Sequence, residues 1–194
     1  MDRRSFLKSA AVASSALAIT PSSFAKDLLS GEKAVRPAQP KGKVRMAMIG
    51  IGNRGHDNTL ELYKTGLCEV VALCDVDMGS DKTKDIISRF PDVPRYHDFR
   101  KMFAEMADKI DAVMIGTPDF SHFVICMAAM KLGKHVYVEK PLCRTFLEAE
   151  ILMEAEKKYG VVCQMGNQGH SEANYYQFKA WKEAGIIKDV TAIT

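Results

Sequence analysis

The chain has 194 residues, which is enough for one full domain and the start of a second. Its composition, 47% hydrophobic and 26% charged, is typical of a soluble globular protein. No stretch reaches the roughly 18 consecutive apolar residues of a membrane-spanning helix. Most of the net charge of +3 comes from Arg3, Arg4 and Lys8 near the start. We therefore expect neither a nucleic-acid partner nor stable membrane insertion.

The cysteines show no pattern of a metal site. Their spacing is irregular, without a C-x-x-C pair or a histidine at a zinc-ligand offset. Cys74, Cys126 and Cys163 lie within apolar runs, where a cysteine is usually a small buried hydrophobe. The odd total of five argues against a full disulfide framework, so we predict structural cysteines and no metal.

Residues 1–25 have the layout of an export signal. Arg3 and Arg4 precede a short apolar run over 9–19, and small residues follow it. This arrangement resembles the twin-arginine export consensus, although Asp2 stands where Ser or Thr is usual. The resemblance implies a periplasmic or otherwise exported protein that leaves the cytoplasm already folded. The alternative is a frayed amphipathic N-terminus in a cytosolic protein.

A glycine-rich loop follows the first predicted strand, over 44–49, and precedes a helix predicted over 57–65. Its pattern is G-x-G-x-x-G, in which the glycines permit a tight turn, close approach to a pyrophosphate and close helix packing. The phosphates would meet free N–H groups at the helix N-terminus. Glycine triplets also occur in ordinary turns, so the neighbouring sequence decides whether the loop is interpreted as a nucleotide site. The loop residues expected to contact a dinucleotide are Gly50, Gly52, Asn53, Arg54 and Gly55.

An acidic residue ends the second predicted strand, over 69–74. Asp75 lies 20 residues after Gly55, the spacing of a carboxylate that accepts hydrogen bonds from the adenosine ribose. A carboxylate there repels a 2′-phosphate, so the sequence favours NAD over NADP. Lys82 and Lys84 follow closely, and a rearranged loop would weaken that preference. The alternative for Asp75 is an ordinary turn residue at a strand end.

Helices and strands then alternate along the chain. The predicted helices cover 78–89, 99–106, 120–132 and 146–159, and the predicted strands cover 95–96, 111–117, 135–139 and 161–164. Repeated β-α-β units with short apolar strands predict an α/β fold, a doubly wound parallel sheet of Rossmann type. Ligands of such sheets bind at the carboxyl ends of the strands. The polar or glycine residues predicted at those ends are Gly50, Asp75, Thr117, Glu139 and Gln164.

Four segments are predicted along the chain. They are a signal peptide at 1–25, a Pro- and Gly-containing linker at 26–42, the Rossmann domain at 43–168, and the start of a truncated α+β substrate domain at 169–194. The last segment is predicted to hold a helix over 172–184 and the first strand of the second domain over 190–194. We therefore expect a fragment of a longer enzyme that is incomplete on its own.

From 43 onwards the sequence resembles the Gfo/Idh/MocA oxidoreductase family. The resemblance lies in the stretches 50–55, 117–122, 133–141 and 166–168. It is most specific where Gly-Lys-His-Val leads into Glu139-Lys140-Pro141. The resemblance implies that Glu139 contacts the nicotinamide ribose and that Pro141 follows a cis peptide bond. It also implies that three residues line the nicotinamide half of the cofactor: Thr117, Pro118 and His122.

The resemblance also implies residues that face the substrate. Lys140 would be a catalytic or orienting group that draws a proton from a sugar hydroxyl. Its alternative is a solvated lysine before a turn. Asn167 and Gln168 would border the cofactor and the substrate. His170 would either donate to a sugar hydroxyl as a second catalytic residue or be a solvent-exposed residue at a helix start.

The activity implied by the resemblance is NAD-dependent hydride transfer on a sugar, a cyclitol or a related polyol. One alternative is an NAD-dependent glycosidase like glycoside hydrolase family 109, which oxidises C3 transiently, eliminates the glycoside, adds water and reduces again. Another alternative is a non-catalytic nucleotide- or sugar-binding module. The full-length protein is expected to be a homo-oligomer, because family relatives usually associate through the second domain.

Overall fold

The apolar runs of the sequence form the strands of one sheet. The computed structural model describes Leu29 and residues 37–192, so the predicted signal peptide lies outside the described residues. The strands are β1 Val44–Ile49, β2 Cys68–Cys74, β3 Arg95–Tyr96, β4 Ala112–Ile115, β5 His135–Glu139 and β6 Cys163–Gly166. The helices are α1 Arg54–Lys64, α2 Lys84–Arg89, α3 Phe99–Met106, α4 His122–Lys131, α5 Phe146–Tyr159 and α6 Ala173–Glu183.

All strand pairs are parallel, and the strand order is β3-β2-β1-β4-β5-β6. The chain therefore winds outward in one direction from β1 and then in the other direction from β4. The prediction of a doubly wound parallel sheet is confirmed. In such a sheet, the crevice between β1 and β4 at the carboxyl ends is the place where ligands bind.

Both faces of the sheet are buried. Neighbouring residues of a strand point to opposite faces, so alternate residues of β1 and β4 belong to two separate apolar clusters. One cluster contains Ala47, Ile49, Val113 and Ile115, and the other contains Met46, Met48, Ala112 and Met114. Helices α3, α4 and α5 cover the first face, and α1 and α2 cover the second. This double cover explains why β4 is buried at every position.

The helix predicted over 78–89 is wrong in its first half, because α2 begins only at Lys84. The preceding residues form turns that the buried Thr83 hydroxyl stabilises. Its Oγ1 accepts a hydrogen bond from Gly79 N–H at 2.9 Å and donates to Asp77 O at 3.0 Å. Gly79 has φ +93, a conformation that a helix does not contain.

Two predictions near the ends of the chain also need correction. Residues 190–192 form no strand, and 193–194 lie outside the described residues. The predicted linker is docked in its described part: Leu29 is buried in the core, and Ala38 N–H donates to Gly133 O at 2.8 Å. Ala38 O also lies 2.9 Å from His135 Nε2. Leu29 and Ala38 are therefore packed against the folded domain.

The cysteines differ in burial. Cys74 and Cys126 are buried as predicted, whereas Cys163 is only partly buried because β6 is an edge strand. Burial raises the pKa of the Cys74 thiol to about 12 and that of Cys163 to about 11. These thiols are therefore protonated and unreactive near neutral pH. None of the described helices is long and apolar enough to cross a bilayer.

Gly55 is the position where α1 touches β1 most closely. A Cβ on this residue would lie 1.7 Å from Gly50 O. We expect Gly55→Ala to force α1 off the sheet and to lower the free energy of unfolding by about 3 kcal/mol or more. Gly42→Ala is the control, since a Cβ at Gly42 meets nothing within 4 Å. Equal urea midpoints for the two variants would contradict the close approach.

His56 connects α1 to α2 by an ion pair that depends on pH. Its Nε2 lies 2.8 Å from Asp85 Oδ2, and its Nδ1 lies 3.2 Å from Asp57 Oδ1. Hydrogen bonds to Asp85 and then to Asp57 raise the pKa of His56 above its ordinary 6.5. A raised folded-state pKa means that the stabilisation is complete below the unfolded pKa and is lost as pH rises through the folded pKa.

We therefore expect His56→Ala to lower the free energy of unfolding near pH 6 and to lower it much less near pH 9. Urea denaturation of the wild type and the variant at both pH values measures the difference. His97→Ala removes an exposed histidine elsewhere and controls for the loss of any histidine. A His56→Ala effect that stays constant with pH would refute the ion pair.

Candidate functional site

A cleft of about 480 Å³ opens at the carboxyl ends of β1, β2 and β4. Its walls come from the loops that follow these strands and β3. Residues on its walls include Gly50, Gly52 and Asn53 after β1, Asp75, Asp77 and Lys82 after β2, His97 and Arg100 after β3, and Thr117 and Pro118 after β4. The cleft lies at the point where the strand order reverses, as expected for a ligand site of this fold.

The glycine loop is shaped by backbone contacts that exclude side chains. Gly50 has φ +78, and a Cβ there would lie 2.5 Å from Thr117 N. A Cβ on Gly116 would lie 2.6 Å from Gly55 Cα. The end of β1, the start of α1 and the end of β4 therefore meet with only hydrogen atoms between their backbones, and this contact brings the loop to the edge of the cleft.

The segment that leads into α1 offers backbone donors for an anion. Asn53 precedes the helix with φ 46 and ψ −116, and its side chain makes no capping hydrogen bond. A non-glycine residue at positive φ is strained, and such residues concentrate at functional sites. In the described part of the chain, the N–H groups of Gly52, Asn53 and Arg54 have no backbone acceptor. This geometry suits the binding of a pyrophosphate.

Asp75 organises two walls of the cleft. Its Oδ2 accepts a hydrogen bond from Ile51 N–H at 2.9 Å, and its Oδ1 accepts one from Asp77 N–H at 2.9 Å. The carboxylate lines the cleft while it ties the glycine loop to the loop after β2. Lys82 lies close to the glycine loop, since a Cβ added to Gly52 would be 3.3 Å from Lys82 Cβ. The ribose contact of Asp75 stays a prediction.

Glu139 is a buried carboxylate that joins three segments. Its Oε1 accepts hydrogen bonds from Asn58 Nδ2 and Gln168 Nε2, each at 2.6 Å, and lies 3.5 Å from Arg54 Nε. Its Oε2 accepts one from Lys140 N–H at 3.3 Å. Burial alone would raise the pKa of Glu139, but these hydrogen bonds and the Arg54 charge outweigh burial and lower it. The charged carboxylate thus links α1, the end of β5 and the segment after β6.

The placement of Glu139 changes the roles expected for several residues. Arg54 and Gln168 both contact the Glu139 carboxylate, so the three residues build the frame of the site. Asn58 was not anticipated from the sequence. The sequence feature that could have identified Asn58 is its position as a polar residue on the face of α1 that packs against the sheet. His97 and Arg100 were also missed, because no sequence pattern marks them.

His122 is placed differently from the expectation. The ring is fully buried and does not line the cleft. Its Nδ1 lies 2.6 Å from Pro141 O, and its Nε2 lies 2.8 Å from Thr117 O. The sequence interpretation of His122 as a wall of the nicotinamide pocket therefore needs correction. It lies behind the wall that Thr117 and Pro118 form.

The remaining candidates lie at the ends of β5 and β6. Lys140 is exposed and precedes a cis peptide bond to Pro141, as the family resemblance implies. Asn167 and His170 are exposed in the segment that follows β6. The His170 ring contacts the Tyr175 ring edge to face, with 5.3 Å between centroids. These residues lie beyond the walls of the cleft, on the side of β4 away from β1.

Solved structures with the same fold are similar to this chain. Myo-inositol 2-dehydrogenase from Lactobacillus plantarum has 25% identity and a TM-score of 0.66, with 76% of this chain and 43% of that chain covered. An inositol dehydrogenase homolog from Azotobacter vinelandii, solved with NAD+, has 28% identity and a TM-score of 0.63, with 77% and 40% covered.

Curated relatives have a comparable sequence identity to this chain. Inositol 2-dehydrogenase/D-chiro-inositol 3-dehydrogenase of Lactiplantibacillus plantarum is 28% identical over 74% of this chain and 41% of its own length. Glycosyl hydrolase family 109 protein 2 of Akkermansia muciniphila is 28% identical over 97% of this chain and 45% of its own length. The chain thus spans less than half the length of these relatives.

The family model described as the oxidoreductase family with an NAD-binding Rossmann fold matches residues 44–167. The match begins at the first residue of β1 and includes the glycine loop, Asp75 and the Glu139-Lys140-Pro141 segment. Because it covers more than half of the sequence, the chain belongs to the Gfo/Idh/MocA family of NAD-binding oxidoreductases.

Proposed function

We propose that the protein is an NAD-dependent oxidoreductase that transfers hydride between a ring carbon of a sugar, cyclitol or related polyol and the cofactor. The observation that carries the proposal is the position of Lys140. It follows β5 at the same edge of the sheet as the glycine loop, with β4 between the two. One edge thus carries a phosphate-binding loop and a basic side chain for substrate chemistry.

The residues of the cleft fit a dinucleotide. Gly50, Gly52 and Gly55 leave the loop without side chains where a pyrophosphate approaches, and Asp75 would accept hydrogen bonds from the adenosine ribose. Thr117 and Pro118 would line the nicotinamide half. A volume of about 480 Å³ lies within the usual range for cofactor pockets. When bound, NAD supplies a hydride acceptor or donor at the nicotinamide C4.

The chain's own residues would then handle the proton and the substrate. The Lys140 amine would take a proton from the reacting hydroxyl during oxidation and return it during reduction. Glu139 holds the backbone of Lys140, and Gln168 is held by the same carboxylate. Asn167 and His170, both exposed after β6, would donate to or accept from the other hydroxyls of the substrate.

A glycosidase that uses NAD within each catalytic cycle is the second candidate. The similarity to a glycosyl hydrolase family 109 protein covers 97% of this chain, including the N-terminal segment. We also propose that the twin-arginine-like signal directs the protein to the periplasm. A cofactor recycled in every turnover suits an exported protein, because free NAD is scarce outside the cytoplasm.

The two candidates differ in their need for added cofactor. A polyol dehydrogenase consumes one NAD for each substrate oxidised, whereas the glycosidase releases sugar from a glycoside without added NAD. Assay of the purified full-length protein, with its substrate domain, on a panel of cyclitols, sugars and aryl glycosides, with and without NAD, separates them. Binding of NAD without either activity would favour a non-catalytic module.

Lys140→Ala tests the proposed proton transfer. Loss of a general acid–base group typically costs about 100-fold or more in turnover, so we expect at least that loss in kcat. The Kd for NAD should change by less than about twofold, since Lys140 does not line the cleft. Lys109→Ala is the control, because this exposed lysine precedes β4 at the opposite edge of the sheet. Unchanged kcat in Lys140→Ala would remove Lys140 from the mechanism.

Asp75→Ala tests the proposed preference for NAD over NADP. Affinity for both cofactors should fall, because Ile51 N–H and Asp77 N–H lose their acceptor. The ratio of the NADP Kd to the NAD Kd should decrease by about tenfold, as the charge that repels a 2′-phosphate is lost. Asp81→Ala serves as the control, since Asp81 pairs with Lys84 on the surface. Tighter binding of NADP than of NAD by the wild type would contradict this preference.

A further inference from the structure

We propose that His122 is a positioning residue for Lys140, an inference that rests on the proposed function. The buried imidazole lies between two backbone segments of the site. Its Nδ1 is 2.6 Å from Pro141 O, one residue after Lys140, and its Nε2 is 2.8 Å from Thr117 O in the wall of the cleft. The ring thereby joins the segment that carries the proposed base to the segment that borders the cofactor.

The chemistry of the two contacts indicates that His122 holds the two segments by hydrogen bonding and does not merely fill space in the core. Both partners are carbonyl oxygens, which can only accept hydrogen bonds. An imidazole with one N–H donates to one of them, and the imidazolium donates to both. An apolar side chain of similar size would leave both carbonyls without this donor. The histidine at the first position of α4 avoids the cost of that loss.

Lys140 is also held from its other side. Its own N–H donates to Glu139 Oε2, and hydrogen bonds from Asn58 and Gln168 fix the Glu139 carboxylate. The backbone at Lys140 is therefore held before the residue by Glu139 and after it by His122. Neither of these two side chains lines the cleft, so both act through the segment that they hold.

Holding the backbone on both sides of Lys140 has a functional consequence because the lysine side chain is long and exposed. Its four-carbon stem has many rotamers, and only the backbone can restrict where the amine reaches. A misplacement of about 1 Å at a reacting group can cost about 100-fold in rate. Loosening the Lys140 segment should therefore lower kcat with little effect on the binding of NAD.

The test is a double-mutant cycle between His122→Asn and Lys140→Ala. Asparagine keeps a donor but cannot reach both carbonyls. We expect His122→Asn alone to lower kcat by at least about tenfold, with the Kd for NADH within about threefold of the wild type. In the Lys140→Ala background the same substitution should change kcat by less than about twofold, because the residue through which His122 acts is gone.

Met130→Ala is the matched control for lost stability. Met130 is fully buried on the same helix and belongs to the apolar core. It should lower the thermal midpoint and leave kcat at a temperature well below that midpoint within about twofold of the wild type. If His122→Asn fails to fold, His122→Gln gives a second variant with a single amide donor and the same expected kinetic pattern.

The outcomes separate this inference from the proposed function. Absence of NAD-dependent turnover in the wild type would overturn the proposed function. Retained turnover in Lys140→Ala would remove Lys140 from the mechanism and overturn the positioning role, while the oxidoreductase activity would stand. Lost turnover in Lys140→Ala with unchanged kcat in His122→Asn would overturn only the positioning role. Additive losses of the two substitutions would show that His122 acts independently of Lys140, and this would also overturn it.

Discussion

Close backbone contact between β1, α1 and β4 is the constraint on which the site depends. A Cβ on Gly55 would lie 1.7 Å from Gly50 O, and a Cβ on Gly116 would lie 2.6 Å from Gly55 Cα. Since no side chain fits between these segments, α1 starts directly above the switch point of the sheet. The N–H groups of Gly52, Asn53 and Arg54, where the loop enters α1, have no backbone acceptor among the described residues. Asp75 fixes the loop by accepting a hydrogen bond from Ile51 N–H. The dinucleotide cradle is thus a consequence of packing as much as of sequence chemistry.

Buried polar side chains also fix the backbone between the cofactor cleft and the ends of β5 and β6. Glu139 collects donors from α1, from its own strand end and from the segment after β6, and it remains charged although it is 4% exposed. On the other side, His122 lies between the carbonyls of Thr117 and Pro141. The loops that carry candidate catalytic groups are therefore held by a few charge-assisted or buried hydrogen bonds, which are strong when fully paired.

Much of the fold was predictable because hydrophobic periodicity determines the elements. The bounds of β1, β5 and α5 match the prediction, since each is a distinct apolar or amphipathic run. The start of α2 was not predictable, because the Thr83 hydroxyl stabilises a turn that propensity alone does not indicate. For His122, the sequence could not show that its ring lies behind the cleft wall. The contact between Asn58 and Glu139, 81 residues apart, likewise depends on tertiary packing.

The central claim is that the carboxyl edge of the sheet binds a dinucleotide on the glycine loop. It is tested most directly by titration of the protein and of Gly52→Val with NADH, followed by nicotinamide fluorescence and competed with ADP-ribose. The account predicts saturable binding at one site per chain, displacement by ADP-ribose, and loss of binding in Gly52→Val, whose side chain would occupy the space beside Lys82 that the pyrophosphate needs. Absence of saturable binding by the wild type, or equal affinity in Gly52→Val, would contradict it.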